Sequence, residues 1–102
     1  MSNVVDLTSD TFADDIAVLC FKAGWCGPCK VLAPIYDDLS VQNEGIRFYR
    51  VSIEDSPELT QKYGIRSVPA LVFIKKGEVV KNIVGLKSRK EIQGMIDTLR
   101  GD

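Results

Sequence analysis

Histidine is absent from this chain of 102 residues, and cysteine is scarce, with three residues. A protein zinc site takes four ligands, commonly cysteine and histidine, and an iron-sulfur cluster is held by cysteine thiolates. Three cysteines without histidine supply too few ligands for either centre. We therefore expect no metal site and no bound cofactor.

An excess of charge and a long apolar run are also lacking. Thirteen basic and fourteen acidic residues give a formal net charge of -1, and no five-residue basic cluster occurs, so nothing favours nucleic acid or anionic lipid. No apolar run approaches the ~20 residues of a membrane span, and the first residues, MSNVVDL, lack the pattern of a signal peptide. We expect a cytoplasmic protein with neither a nucleic-acid nor a membrane partner.

Repeats, low-complexity tracts and linker-like stretches are missing, so residues 1–102 are predicted to form one domain. Residues 17–21 (AVLCF) and 70–74 (ALVFI) are uninterrupted apolar runs, typical of strands covered on both faces. Residues 46–53 (IRFYRVSI) are rich in β-branched and aromatic residues and predict a third strand. A short first strand is expected at Val4 and Val5, and KKGE at 75–78 predicts a hairpin.

Three helices are predicted between these strands, and a fourth is predicted after the last strand. Cap-type residues and early acidic residues predict a short one beginning near Thr8 or Ser9. The second begins in the Cys-Gly-Pro-Cys segment and runs to about Asn43, with a kink at Pro34. The third follows a Ser56 cap and ends at Gly64. The last opens at Ser88, which has capping-box spacing to Glu91. The order β-α-β-α-β-α-β-β-α predicts an α/β fold in which about four helices flank a mixed sheet of about five strands.

Cys26 and Cys29 flank Gly27 and Pro28 at the predicted start of the second helix. Side chains three residues apart on a helix are close enough to bridge after modest adjustment. Cys26 would meet the unpaired amides of the helix start, which stabilise a thiolate, whereas Cys29 shares the inward face with Leu32 and should be less exposed. This favours redox catalysis, with Cys26 as nucleophile and Cys29 resolving a mixed disulfide; a structural disulfide remains an alternative. Covalent haem attachment would need histidine at the position of Lys30.

Several motifs in order resemble the thioredoxin family over nearly the whole chain: WCGPCK at 25–30, AP at 33–34, YGIRSVPALVFIKKGE at 63–78 and VG at 84–85. The resemblance implies the thioredoxin fold and a small protein-disulfide reductase, and we expect a monomer. It implies attack by Cys26 on a disulfide of a protein substrate and release of the product by Cys29. It also implies a thioredoxin reductase as partner, a flavoprotein that draws electrons from NADPH.

The same resemblance marks the surroundings of the cysteine pair. Pro69 matches the family's cis-proline, beside which the Val68 backbone would pair with an extended substrate segment; an ordinary proline at a strand start is the alternative. Trp25 and Gly85 match positions flanking the substrate-docking surface, with Gly64 and Ile65 nearby, although Trp25 is also compatible with core packing. Gly27, Pro28 and Lys30 complete the motif.

Three residues near the pair depart from the family. Cys20 stands where most thioredoxins have a buried aspartate, Lys22 replaces an aromatic residue, and Arg50 replaces a lysine. A buried thiol is a poor proton acceptor at neutral pH, so we expect slower resolution by Cys29 or proton transfer through water. Cys20 is interpreted as a core residue, with a redox-active third thiol as the alternative, and Arg50 is expected to pair with Glu54 or Asp55 or to stay solvated.

Two functional classes remain at this point. A dithiol reductase explains the intact cysteine pair, whereas a binding module or processivity-type partner of a larger assembly would need only the fold. An oxidase or isomerase is disfavoured by Gly27-Pro28 and by the lack of histidine.

Overall fold

A five-stranded sheet lies at the centre of the computed structural model, which describes residues 2–10 and 12–101. The strands are β1 (Val5–Asp6), β2 (Ile16–Lys22), β3 (Arg47–Ser52), β4 (Ala70–Lys75) and β5 (Glu78–Val84), and the helices are α1 (Gly27–Gln42), α2 (Pro57–Lys62) and α3 (Arg89–Gly101). The strand order is β1-β3-β2-β4-β5. The predicted α/β class and five-stranded mixed sheet are confirmed.

The directions of the strands follow from their connections. β2 and β3 run parallel, and the long connection through α1 supplies the crossover that a parallel pair needs; β1 pairs parallel to β3. β4 runs antiparallel to both β2 and β5. The predicted hairpin at 75–78 turns through Lys76 and Gly77, whose φ angles of 53° and 81° suit the twist of a two-residue hairpin loop.

Apolar side chains cover both faces of the sheet, which explains why β2 and β4 are continuous apolar runs. Val18 and Cys20 of β2 face a cluster beneath α1 and α3 that includes Leu32 and Ile92. The alternate residues of β2 pack on the other face, together with Leu59 of α2. The strands predicted at 17–21 and 70–74 are thus buried as expected, because helices lie on both sides.

Caps define most helix ends as predicted. The Ser88 amide donates to Glu91 Oε1, and the Glu91 amide donates to Ser88 Oγ, each at 3.1 Å, which completes the capping box of α3. α1 continues through Pro34 to a cap at Asn43, so the proline does not break the helix. Ser56 occupies the N-cap of α2, although its side chain makes no capping hydrogen bond.

The helix predicted near Thr8 or Ser9 is wrong: residues 7–10 and 12–15 contain no helix, and three helices rather than four flank the sheet over the described residues. The acidic side chains there bind distant parts of the fold instead of helix amides. Asp10 accepts a hydrogen bond from Tyr63 Oη at 3.1 Å, and Asp14 accepts one from Tyr49 Oη at 2.5 Å. The segment is therefore tied down as a loop.

Across residues 2–10 and 12–101, none of the helices is both long enough and apolar enough to cross a bilayer.

Candidate active site

The cysteine pair lies where the chain leaves β2 and enters α1. Cys26 is the N-cap of α1, with an extended backbone (φ −89°, ψ 109°), and its amide donates to the Ala23 carbonyl at 3.2 Å. The Cys29 amide lies in the first turn of the helix, where amides have no carbonyl partner within the helix, and it donates to Cys26 Sγ at 3.2 Å. The two residues form a disulfide with their Cα atoms 5.3 Å apart. The helix start thus presents a hydrogen-bond donor to the sulfur of Cys26.

Burial of the two cysteines differs from the expectation. Cys26 is 3% exposed and Cys29 is 8% exposed, so the prediction that Cys29 would be the less exposed is wrong for the disulfide form. Cys26 packs in a small cluster with Ala23, Ile53 and Val68. Cys29 belongs to the same cluster but also borders a cavity behind the disulfide.

Exposed residues surround the pair on the outer side. Trp25 is 71% exposed, so the core-packing alternative for this residue is wrong. Gly27, Pro28 and Lys30 are exposed as well. A Cβ atom built on Gly27 meets no heavy atom within 4 Å, so the fold itself does not require glycine there.

The loop that precedes β4 adjoins the cysteine cluster, and the end of β5 meets this loop. The Val68–Pro69 peptide bond is cis, as the resemblance implied, and Pro69 directly precedes β4, so it is also a strand-start proline. The Gly85 amide donates to the Pro69 carbonyl at 2.8 Å, which brings the end of β5 against this loop. Val68 contacts the cysteine cluster. Of the less certain positions, Gly64 is exposed and Ile65 is half-buried.

Cys20 lies in the middle of β2, opposite Arg50 of β3 and Leu71 of β4. It is 7% exposed and belongs to the core cluster beneath α1, which confirms its interpretation as a core residue. Burial raises the pKa of the Cys20 thiol from 9.0 to about 12, against the opposing effect of the Arg50 and Lys22 charges. The thiol is therefore neutral at pH 7 and accepts no proton from Cys29.

A cavity of about 500 Å³ is lined by both Cys20 and Cys29. Arg50, also in its wall, binds Asp6 through Nε and Oδ1 at 2.9 Å. The expected partners of Arg50 were therefore wrong: Glu54 instead accepts a hydrogen bond from the Gly24 amide at 3.0 Å. Arg50 and Asp6 are direct partners in the β1–β3 register, which the sequence alone does not give.

Two residues of the site were missed from the sequence. Ile53 packs against the cysteine cluster because its amide donates to the Lys22 carbonyl at 3.0 Å, which extends the β2–β3 pairing past the strand ends. Asp6 enters the cavity wall through the pairing of β1 with β3. An apolar residue after a strand and an acidic residue near the start of a chain carry no distinct signal of either position.

Comparisons with known proteins agree with this geometry. The sequence profile of the Thioredoxin family matches residues 3–98. Thioredoxin 1 of Nostoc sp. is 39% identical over 92 residues, covering 83% of this chain and 86% of the relative. Thioredoxin of Bacillus subtilis is 30% identical over 99 residues, covering 92% of this chain and 95% of the relative.

A chloroplastic M-type thioredoxin of Brassica napus is 40% identical over 86 residues, covering 83% of this chain. The match takes in 49% of that relative, so this chain spans about half its length. Among solved structures, a mutant thioredoxin from Halobacterium salinarum superposes with a TM-score of 0.89 at 27% identity, covering 97% of this chain and 94% of that one. Reduced Schistosoma mansoni thioredoxin gives 0.85 at 32% identity, covering 96% and 99%.

Proposed function

The chain belongs to the thioredoxin family, and from this premise we propose the roles of its residues in the reduction of a protein disulfide. The family reduces protein disulfides by dithiol-disulfide exchange, and the Cys26–Cys29 pair is the redox centre of this thiol-disulfide oxidoreductase. We propose that residues 1–102 make up one domain of this kind.

Cys26 is proposed to make the first attack. The observation that supports this role is the hydrogen bond from the Cys29 amide to Cys26 Sγ, because the same donor and the positive end of α1 stabilise a thiolate once the pair is reduced. Cys29 lies one turn inside the helix. The assignment thus depends on the helix start and not on a difference in exposure.

The exchange then has two balanced steps. The Cys26 thiolate attacks one sulfur of the substrate disulfide, forms a mixed disulfide and releases the first substrate thiolate. Cys29, as a thiolate, attacks Cys26 Sγ, so that the Cys26–Cys29 bond forms and the second substrate thiolate leaves. Two electrons pass from the dithiol to the substrate, and the released thiolates take up protons from water.

Val68, Pro69, Gly85 and Trp25 are proposed to receive the substrate. The Val68 backbone lies beside the cysteine cluster, the Gly85–Pro69 hydrogen bond fixes the adjoining loop, and Trp25 offers a large exposed apolar surface. An extended segment carrying the disulfide would pair with the Val68 backbone as an added strand. Open space surrounds the Gly27 Cα, and this residue adds no side chain to the approach to the disulfide.

Partners and location follow the family. We propose that a thioredoxin reductase returns the disulfide to the dithiol with electrons from NADPH, that the substrates are proteins with accessible disulfides, and that the chain acts as a monomer. The cytoplasm is the proposed location, because its reducing poise keeps such a thiol pair available for exchange.

Reduction of insulin by dithiothreitol, followed by turbidity, tests these roles. The wild-type chain should accelerate the reaction, and Cys26→Ser should abolish the acceleration. Reduced Cys29→Ser, freed of dithiothreitol and mixed with insulin, should instead accumulate a mixed disulfide that mass spectrometry detects on Cys26, and Cys20→Ser is the matched control that keeps both reacting thiols. A reduced, folded wild-type chain without activity would favour the alternative of a binding module.

A further inference from the structure

The cavity behind the disulfide carries charges whose arrangement bears on the second step of the exchange. Cys29 must lose a proton before it attacks Cys26, yet Cys20, a buried group that lines the same cavity, is a neutral thiol. Tyr36, in the same wall, is also neutral, because burial raises its pKa well above its ordinary value. Neither group accepts the proton at neutral pH.

Two positively charged residues of the sheet, Lys22 and Arg50, line this cavity. Residues 20 and 22 project from the same face of β2, and the strand register places Arg50 beside Cys20 and Ser52 beside Lys22. Lys22, Arg50, Cys20 and Cys29 all line the one cavity. The charges of Arg50 and Lys22 act on the Cys20 sulfur in the direction that favours a thiolate, although burial outweighs them there.

Other charged groups also line the cavity, and their positions decide the sign of the field. Asp6 is 71% exposed and Asp55 is exposed, while Asp37 accepts a hydrogen bond from Ser2 Oγ at 2.8 Å at the surface. Lys30, the remaining cation, is exposed. Water screens exposed charges strongly, and the Arg50 side chain, itself 39% exposed, is partly offset by its ion pair with Asp6. Lys22 is half-buried, so its charge and the part of the Arg50 charge that Asp6 leaves unbalanced supply the positive field from the sheet side of the cavity.

We propose that Lys22 and Arg50 are positioning residues for the resolving step, whose positive charges stabilise the Cys29 thiolate across the cavity that it shares with Cys20. The proton of Cys29 passes to water in the cavity, and no carboxylate receives it. In this chain electrostatic stabilisation of the Cys29 thiolate thus takes the place of proton transfer to a buried carboxylate. The inference rests on the proposed roles of Cys26 and Cys29.

The two steps separate in a stopped-flow experiment with dithiodipyridine, an uncharged aromatic disulfide. Reduced protein should release thiopyridone in two phases, the first from attack by Cys26 and the second from attack by Cys29 on the mixed disulfide. The second phase is intramolecular and is recorded as a function of pH. Failure of the proposed function would appear as the absence of the two phases in the wild type.

Lys22→Met and Arg50→Met should each slow the second phase by about two- to fivefold at and below neutral pH, the usual effect of one charge near the surface. The rates should converge with the wild type at high pH, where Cys29 is fully ionised, and Lys22→Arg should restore the wild-type rate. High salt should slow the wild type toward the variants. Lys90→Met, which removes the same charge from an exposed position on α3, should change nothing.

Asp6→Asn should change the rate of the second phase in the opposite direction, which distinguishes an effect of charge from an effect on the structure alone. The Asp6 carboxylate binds the Arg50 guanidinium and partly offsets its charge, so its neutralisation should speed the second phase. If Asp6 and Arg50 served only to hold β1 against β3, both substitutions would slow the step alike. That result, or a second phase in Lys22→Met with the wild-type pH profile, would overturn the proposal.

Discussion

Replacement of Cys20 by aspartate would place an ionisable carboxyl group at a buried position that now holds a neutral thiol. Cys20 is 7% exposed, and its pKa rises from 9.0 to about 12, which includes the favourable effect of Arg50 and Lys22. A pKa difference of one corresponds to about 1.4 kcal/mol, so a negative charge at this position costs roughly 4 kcal/mol of folding stability.

The sign of the pH dependence follows from this cost. Burial raises the pKa of the new carboxyl group in the folded state above its unfolded value. Both states are protonated at low pH, so ionisation of the new carboxyl group then costs no stability. As pH rises through the unfolded pKa, the unfolded chain releases the proton while the folded chain retains it, so the free energy of unfolding falls until the folded pKa is passed.

Urea denaturation of Cys20→Asp and Cys20→Asn between pH 4 and pH 8 measures how the free energy of unfolding of each variant changes with pH. Asparagine is the control, because it has nearly the same shape as aspartate but does not ionise. Cys20→Asp should lose up to roughly 4 kcal/mol relative to Cys20→Asn as pH rises across this range. A constant difference between the two variants across the range would refute the argument, since it would mean that the site does not oppose the charge.

Three further predictions concern the wild-type fold. Above pH 9 the free energy of unfolding should fall as pH rises, because the pKa of the Cys20 thiol is 9.0 in the unfolded chain but about 12 in the folded one. In urea denaturation at alkaline pH, Cys20→Ala should make this fall less steep. An unchanged dependence on pH would contradict the raised pKa of Cys20. Tyr36→Phe should cost about 1–2 kcal/mol in urea denaturation, because the buried hydroxyl lies 2.7 Å from the Tyr49 carbonyl; no loss would mean that water satisfies that carbonyl. Ser88→Ala should lower the melting temperature through a loss of about 1 kcal/mol, and Glu91→Gln, which keeps an acceptor, should lose less; equal losses would count against the reciprocal cap.

The strands were predictable from the sequence because local composition determines them. β2 and β4 are uninterrupted apolar runs since both of their faces are covered, and the hairpin at Lys76 and Gly77 has turn chemistry that favours one geometry. The caps of α3 are likewise local, since Ser88 and Glu91 bind each other across three residues.

The wrong predictions share a dependence on distant partners. The acidic residues after β1 satisfy the rules for a helix start, but Asp10 and Asp14 bind tyrosines more than 30 residues away. Arg50 was matched to carboxylates near it in sequence, whereas the sheet order places Asp6 at its side. The exposures of Cys26 and Cys29 depend on a cavity formed by several elements, which helical periodicity does not describe.

The hydrogen bond from the Gly85 amide to the Pro69 carbonyl extends the pairing of β4 and β5 to the loop that precedes β4. The proposed docking surface is therefore assembled before any substrate arrives, and a bound segment need not order it. Since ordering a flexible side chain costs about 0.5–1.5 kcal/mol, a rigid receiving surface lets a few backbone contacts suffice for a short-lived complex. Such a surface would recognise the extended conformation of its partner more than the partner's sequence.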